Sequence, residues 1–177
     1  MGKLISRTVA GAAFVGLLLV GPATQVAADN GDSLAAVRAA TAKFHSIPAA
    51  EAAGYARPAA LPCFDRPGVG GMGLHWVNGS LFTATPTATK PQAMVYEVDG
   101  DELTLVAVEY LIPFTLVPGN AQAPTLLGQH FHHAFLPNGQ PLGLWALHAW
   151  IWESNPLGMF ADYNPEVELC PGTRSLD

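Results

Sequence analysis

The chain has 177 residues, of which 50% are hydrophobic and 12% charged, and its 8 Lys and Arg against 14 Asp and Glu give a formal net charge of -6. It contains no Lys/Arg cluster, which excludes charge-driven binding to nucleic acid or anionic lipid. The acid excess favours cations near the surface, but only weakly and without specificity.

Lys3 and Arg7 precede an apolar run from Val9 to Val20, Gly21 and Pro22 break it, and Val26-Ala27-Ala28 offers small residues for cleavage. This is the layout of a secretory signal peptide, and the apolar run is short for a bilayer span. Residues 1–28 are therefore read as a signal peptide and 29–177 as a single mature domain, secreted or otherwise extracytoplasmic. The mature portion carries a formal charge of about -8 and is long enough for one ordinary core. No insertion into a membrane is expected after signal removal. Export permits a disulfide between Cys63 and Cys170; it would close a loop of roughly 107 residues, worth about 4–5 kcal/mol in the chain-entropy account. A thiolate ligand is the alternative, although neither Cys sits in a CxxC or beside a His.

Along the chain, residues 32–45 predict a helix, with Asp32 as its cap and Leu34, Val37, Thr41 and Phe44 as its buried stripe. A second short helix follows, capped by Ser46 and stopped by Gly54. Residues 56–71 read as a turn-rich loop pinned by Cys63. GMGLHWVN then predicts a strand that carries His75, with Gly73 either admitting a close neighbour or serving a bulge. The Pro-interrupted SLFTATPTATKP is a candidate loop at a site mouth. Val95–Val98 and Leu103–Ile112 predict a hairpin turned at Asp99-Gly100. On its second strand Leu103, Leu105, Ala107, Glu109 and Leu111 share a face. Both faces are apolar, so this strand belongs in the middle of a sheet or in a barrel wall.

His130, His132 and His133 follow in GQHFHH; on a strand, His130 and His132 would point to one side. The last long strand, LGLWALHAWIW, would place Leu144, Ala146, His148, Trp150 and Trp152 on one face. Asp162, Asn155 and Asn164 in the terminal segment are candidates for hydrogen bonding at a site rim.

Polar side chains in such apolar surroundings are costly unless paired. Three separate strands each carry one. His75, Glu109 and His148, with His130 or His132, are the candidate ligands of one divalent transition metal: Zn first, with Cu, Mn or Fe as alternatives suited to mixed nitrogen and oxygen donors. Glu109 and His148 are also the candidate catalytic pair, as general base and orienter. The plainer readings are a Glu109 paired to Arg57 or Arg66 or exposed at an edge, a His148 satisfied within the core, and a solvated His-rich loop. Trp76, Trp150, Trp152 and Tyr110 would line an apolar pocket or serve as ordinary core aromatics. Ser80, Ser154 and Ser175 lack any nucleophile motif, GVGGMG lacks phosphate-loop spacing, and HExxH is absent.

The segments AEAAGY, GMGLHWVN, YEVDG with LVAVEYLIPF, and LHAWIWESNPLGMFADYNP cover most of the mature chain. Together they resemble a group of secreted bacterial single-domain proteins of unassigned function, which implies one domain and no particular chemistry. The cupins, barrels with His and Glu ligands, are a looser likeness. Their H-x-H precedes the Glu, whereas here His75 stands alone before Glu109 and His130-x-His132 comes after it.

The expected fold is α+β, with N-terminal helices packed on a curved, mainly antiparallel sheet or partial β-barrel. The expected function is a secreted metal-binding protein, foremost a small metalloenzyme whose partners are a metal ion and a small-molecule substrate. A metal storage or delivery protein, for copper or zinc, and a non-catalytic extracellular binding module are the alternatives.

Overall fold

The computed structural model describes Gly2 and residues 33–172. The expected signal peptide, apart from Gly2, and Asp32 lie outside the described residues. Helix α1 (Leu34–Thr41), a 3-10 turn (Ala42–His45) and α2 (Ile47–Ala52) precede eight strands: β1 (Phe64–Arg66), β2 (Gly70–Val77), β3 (Ala93–Asp99), β4 (Glu102–Pro113), β5 (Thr125–Leu126), β6 (Gln129–His130), β7 (His132–Phe135) and β8 (Pro141–Ala149). Six strands form one curled antiparallel sheet in the order β1-β2-β3-β4-β8-β7, a half-barrel, while β5 and β6 pair separately.

The α+β expectation holds coarsely, but the fold is mostly sheet. The Ser33 hydroxyl, accepting from Ala36 N at 3.1 Å, is the cap of α1. Its helix is shorter than the periodicity suggested. The Thr41 hydroxyl donates to Val37 O at 2.8 Å, a back-bond that weakens a helix, and the chain tightens to 3-10 geometry at the next residue. Ser46 caps α2 as expected, and Gly54 ends it at φ +90°.

The helices lie on one face of the sheet. Val37, Phe44, Ala50 and Tyr55 share a core with Leu74, Trp76, Tyr96, Leu105, Val108, Tyr110, Ile112, Leu147 and Ala149. Tyrosine hydroxyls tie this layer down: Tyr96 donates to Phe44 O at 2.7 Å, Tyr55 to Pro91 O at 2.8 Å and Tyr110 to Ala88 O at 2.7 Å. Ala88 is fully buried in that core. The SLFTATPTATKP loop thus reaches both faces, Leu81 and Ala88 on the helix side and Phe82 against Ala93, Leu111 and Ala146, but none of its residues lines the cavity described below.

The opposite face carries Val95, Ala107, Leu111, Ala146 and Trp150 in two smaller clusters. Residues 151–170 cover part of it without regular structure. Gly71 receives this segment through backbone hydrogen bonds from its N–H to Asn164 O at 3.1 Å and Val167 O at 3.0 Å. A Cβ on Gly71 would stand 2.2 Å from Glu168 O, so only glycine allows the approach. The Cys63–Cys170 disulfide then fixes the end of the segment to the start of β1.

Of the three register shifts in the main sheet, at Phe64/Asp65, Val95/Tyr96 and His133/Phe135, the first two alter the strand parity read from the sequence. The ladder slips at Val95/Tyr96, where Val95 pairs with Ala107 and Tyr96 with Leu105. Val106 is the extra residue. Leu103 and Leu105 consequently turn to the helix side, away from the Ala107–Glu109–Leu111 face. At Gly73 (φ +108°) a second slip faces Phe64, and a Cβ there would meet Tyr96 O at 2.4 Å. Gly73 thus serves a bulge and close packing against β3 and opens no space for a ligand. The hairpin loop is shorter than expected, with only Gly100 (φ +59°) and Asp101 between the paired Asp99 and Glu102. β8 stops at Ala149, so Trp152 leaves the alternation. It packs on the helix side, donating to Thr41 Oγ1 at 3.3 Å beneath the Arg38 guanidinium.

The disulfide gives the first expected outcome. Replacing both Cys63 and Cys170 by Ser should lower unfolding free energy by about 2–5 kcal/mol. Urea denaturation of the two proteins measures it, and a loss under about 1 kcal/mol would show that the tie contributes little.

Candidate metal centre

Glu109 lies on β4, flanked by β3 and β8. Its direct cross-strand partners are Ala93 on one side and His148 on the other. On β2, Val77 pairs with Ala93 and His75 with Val95, so His75 sits two residues along from the Glu109 row. The strands β2 and β4 are about 10 Å apart, and the two long side chains span that gap over the small Ala93. His75 Nε2 and Glu109 Oε2 are 3.3 Å apart. One ligand atom each from His75, Glu109 and His148 falls within a mutual distance of 4.8 Å.

All three residues are buried, with relative exposures of 4%, 8% and 1%. Aromatic rings hold the imidazoles in place: Phe64 meets His75 edge-on at 5.1 Å, and Trp150 lies against His148 at 4.6 Å. Three ring nitrogens, Nδ1 of His75 and both of His148, have no hydrogen-bond partner among the described residues. Buried polar atoms are normally paired, so this deficit marks a site built for something the chain does not supply. Among the described residues the same atoms take part in no closed hydrogen-bond network.

Burial strongly disfavours the charged form of His148 and pushes its pKa down to about 4, the attraction of Glu109 offsetting only part of that effect. At neutral pH it is an uncharged imidazole, the form that ligates metals. Burial alone would raise Glu109, but the charge and hydrogen bond of His75, then His148, hold it below the usual carboxylate range. The site therefore offers one carboxylate and an uncharged imidazole beside His75.

The sequence-derived candidates divide. His75, Glu109 and His148 converge. His130 stands exposed on β6, outside the main sheet, because buried Phe131 separates it from β7. His130 and His132 thus share no strand. His132 lines the cavity over Glu109 but is held by Asp162, Nε2 to Oδ1 at 2.9 Å. His133 packs on Phe114 and Trp145 and bonds Gly119 O through Nε2 at 2.9 Å. Glu109 pairs with His75, not with Arg57 or Arg66, and His148 makes no hydrogen bond to it, so the expected base-and-orienter pair is not formed. Trp76, Tyr110 and Trp152 belong to the helix-side core; of the expected pocket aromatics only Trp150 borders the site. Asn155 and Asn164 brace the terminal segment, donating to Tyr163 O and Ser154 O, both at 2.9 Å.

A cavity of about 240 Å³ opens over His75 and Glu109. Its wall is mainly apolar, including Leu61, Phe64, Met72, Leu111 and Leu144, with Arg66, His132, His133, Asp162 and Tyr163 as its further polar members. Sequence reasoning placed Asp162 at a rim but missed its partnership with His132. It also gave no cavity role to Arg66 or Tyr163, since only the fold of the terminal segment brings them there.

Comparison with protein-family models, with curated proteins and with solved structures finds no match.

The His132–Asp162 pair has a defined pH window. The Asp162 hydrogen bond, opposed by burial, raises His132 from 6.5 to about 9, and Asp162 itself, though burial opposes it, is lowered by the same partner. The His132 contribution is present in full below pH 6.5 and is lost as pH rises through about 9; that of Asp162 is present above 3.8 and lost as pH falls through its depressed folded value. In metal-free protein, NMR should show His132 titrating near 9, and Asp162→Asn should return it toward 6.5. A His132 midpoint near 6.5 in the wild type would contradict the pair.

Proposed function

We propose that the chain is an exported metalloprotein that holds one divalent transition metal on His75, Glu109 and His148 and acts on a small molecule in the adjoining cavity. The observation that carries this reading is the set of three buried, unpartnered ring nitrogens beside an ionised carboxylate. A cation that took one nitrogen from each ring would relieve part of that deficit, and its charge would stabilise Glu109. Two His and one Glu are a donor set suited to Zn, and three protein ligands leave a position for water or substrate. When bound, the metal would supply Lewis acidity and a water of lowered pKa. The protein would supply the geometry: ligands on three strands rather than on loops, set by ladder register and ring packing.

Export is supported by the signal-like N-terminal sequence and by the disulfide. No described helix is long and apolar enough to cross a membrane.

One observation favours a second reading, copper handling. Met72 lines the same cavity as His75 and Glu109, and a thioether suits Cu(I). Met94 is buried on the helix side and takes no part.

Metal analysis of protein purified without a His-tag should find about one metal per chain. His75→Ala and His148→Ala should each lower affinity by more than the roughly 10–100-fold that loss of an outer-shell partner costs. A metal-free preparation that gains nothing on incubation with Zn, Cu, Mn or Fe would refute the reading. Preference for Cu(I), abolished by Met72→Leu, would decide for copper handling over an enzyme.

A further inference from the structure

Besides His75 and Glu109, the cavity wall contains the ionisable side chains of Arg66, His132, His133, Asp162 and Tyr163, of which His133 is bonded to Gly119 O. Their partners differ. Glu109 is met by His75 and Asp162 by His132. Those are the ion pairs found among the described residues, and Arg66 is in neither. No described residue accepts a hydrogen bond from its guanidinium. The polar wall of the site thus has two carboxylates already answered and one fixed cation that is not.

Tyr163 is the second unspent group. It lines the same cavity, and none of the described residues hydrogen-bonds its hydroxyl. Burial and then Asp162 push its pKa up, with Arg66 near enough to act against them. The hydroxyl is therefore a neutral donor at physiological pH. The backbone brings the two groups to one rim. Arg66 pairs with Gly70 in the β1–β2 ladder, and the next residue, Gly71, bridges to Asn164, the neighbour of Tyr163.

A guanidinium presents donors only and a neutral phenol hydroxyl can add one more, and an anionic oxygen group complements both. The rest of the wall limits what can carry that group. Leu61, Phe64, Met72, Leu111 and Leu144 are apolar, and the volume is about 240 Å³. Few polar groups in an apolar cavity fix orientation while the walls supply affinity. A loaded metal would add positive charge at the floor, strengthening the preference for an anion.

We propose that this cavity binds a small carboxylic acid with an apolar body, its carboxylate held at the rim by Arg66 and Tyr163. The inference rests on the metalloenzyme reading only for the identity of the floor; the rim and walls belong to the chain itself. The acid would lie with its carboxylate at the rim and its hydrocarbon part between Phe64 and Leu111. A carbon of the substrate would then reach toward the floor at His75 and Glu109.

Calorimetric titration with butyrate, hexanoate and benzoate, each against its primary amide, tests this on Zn-incubated and on metal-free protein. Zn content is measured first, so that a protein taking up no metal refutes the proposed metal centre without touching the cavity assignment. At least one carboxylate should bind saturably and tenfold or more tighter than its amide. Arg66→Gln should weaken that binding about tenfold and Tyr163→Phe by a smaller factor, with Zn content unchanged in both. Arg66 is exposed, so its replacement leaves the core intact. Binding of amide and acid with equal affinity, no binding by any of the acids, or an unaltered affinity in Arg66→Gln would each overturn the proposal.

Discussion

The arrangement rests on a carboxylate buried between two imidazoles on the central strand. Glu109 has neighbours on both sides and an apolar face around it, so it can stay ionised only with a compensating charge or hydrogen bond in contact. His75 provides one from two strands away, over the methyl group of Ala93. His148 provides the other direction of approach, opposite Glu109 across the β4–β8 ladder. Larger side chains at Ala93 or Ala146 would fill the space over which these groups converge. Small residues beside the ionisable ones are thus part of the site as much as the ligands are.

The second constraint is the cover. The helices shield the other face and contribute nothing to the cavity wall. What turns a patch of polar side chains on a sheet into an enclosed site is the irregular segment after β8. It brings Asp162 to His132 and Tyr163 toward Arg66, and it seats Trp150 through the indole N–H donated to Ala161 O at 2.6 Å. That segment has no ladder of its own. Backbone bonds at Gly71 and the bond to Cys63 hold it in place.

Much of this was legible in the sequence, for identifiable reasons. Period-two alternation is robust where a strand is regular, and it placed Glu109, Leu111, Ala146 and His148 on one face. Two cysteines at the ends of the body of a chain read as exported identified the disulfide. Interspersed apolar residues marked β4 as central. The misreadings occur where the backbone departs from regularity. Val106 adds a residue and reverses the parity of Leu103 and Leu105; Phe131 turns inward and splits the presumed His130-x-His132 strand; β8 ends before Trp152. None of these has a local signal stronger than its surroundings. The roles of Arg66 and Tyr163 were invisible for another reason: they depend on contacts between segments about a hundred positions apart.

The pairing of Glu109 with His148 also bears on how the sheet finds its alignment. β4 is apolar on both sides, and so is most of β8, so hydrophobic patterning distinguishes poorly between the native pairing and one displaced by two residues. In a displaced pairing Glu109 would face Ala146 or Trp150 and keep only His75 beside it, losing the approach of His148 that also favours its ionised form. The same three residues that form the candidate centre therefore act as a key between strands, rejecting neighbouring alignments that an all-hydrocarbon interior would tolerate.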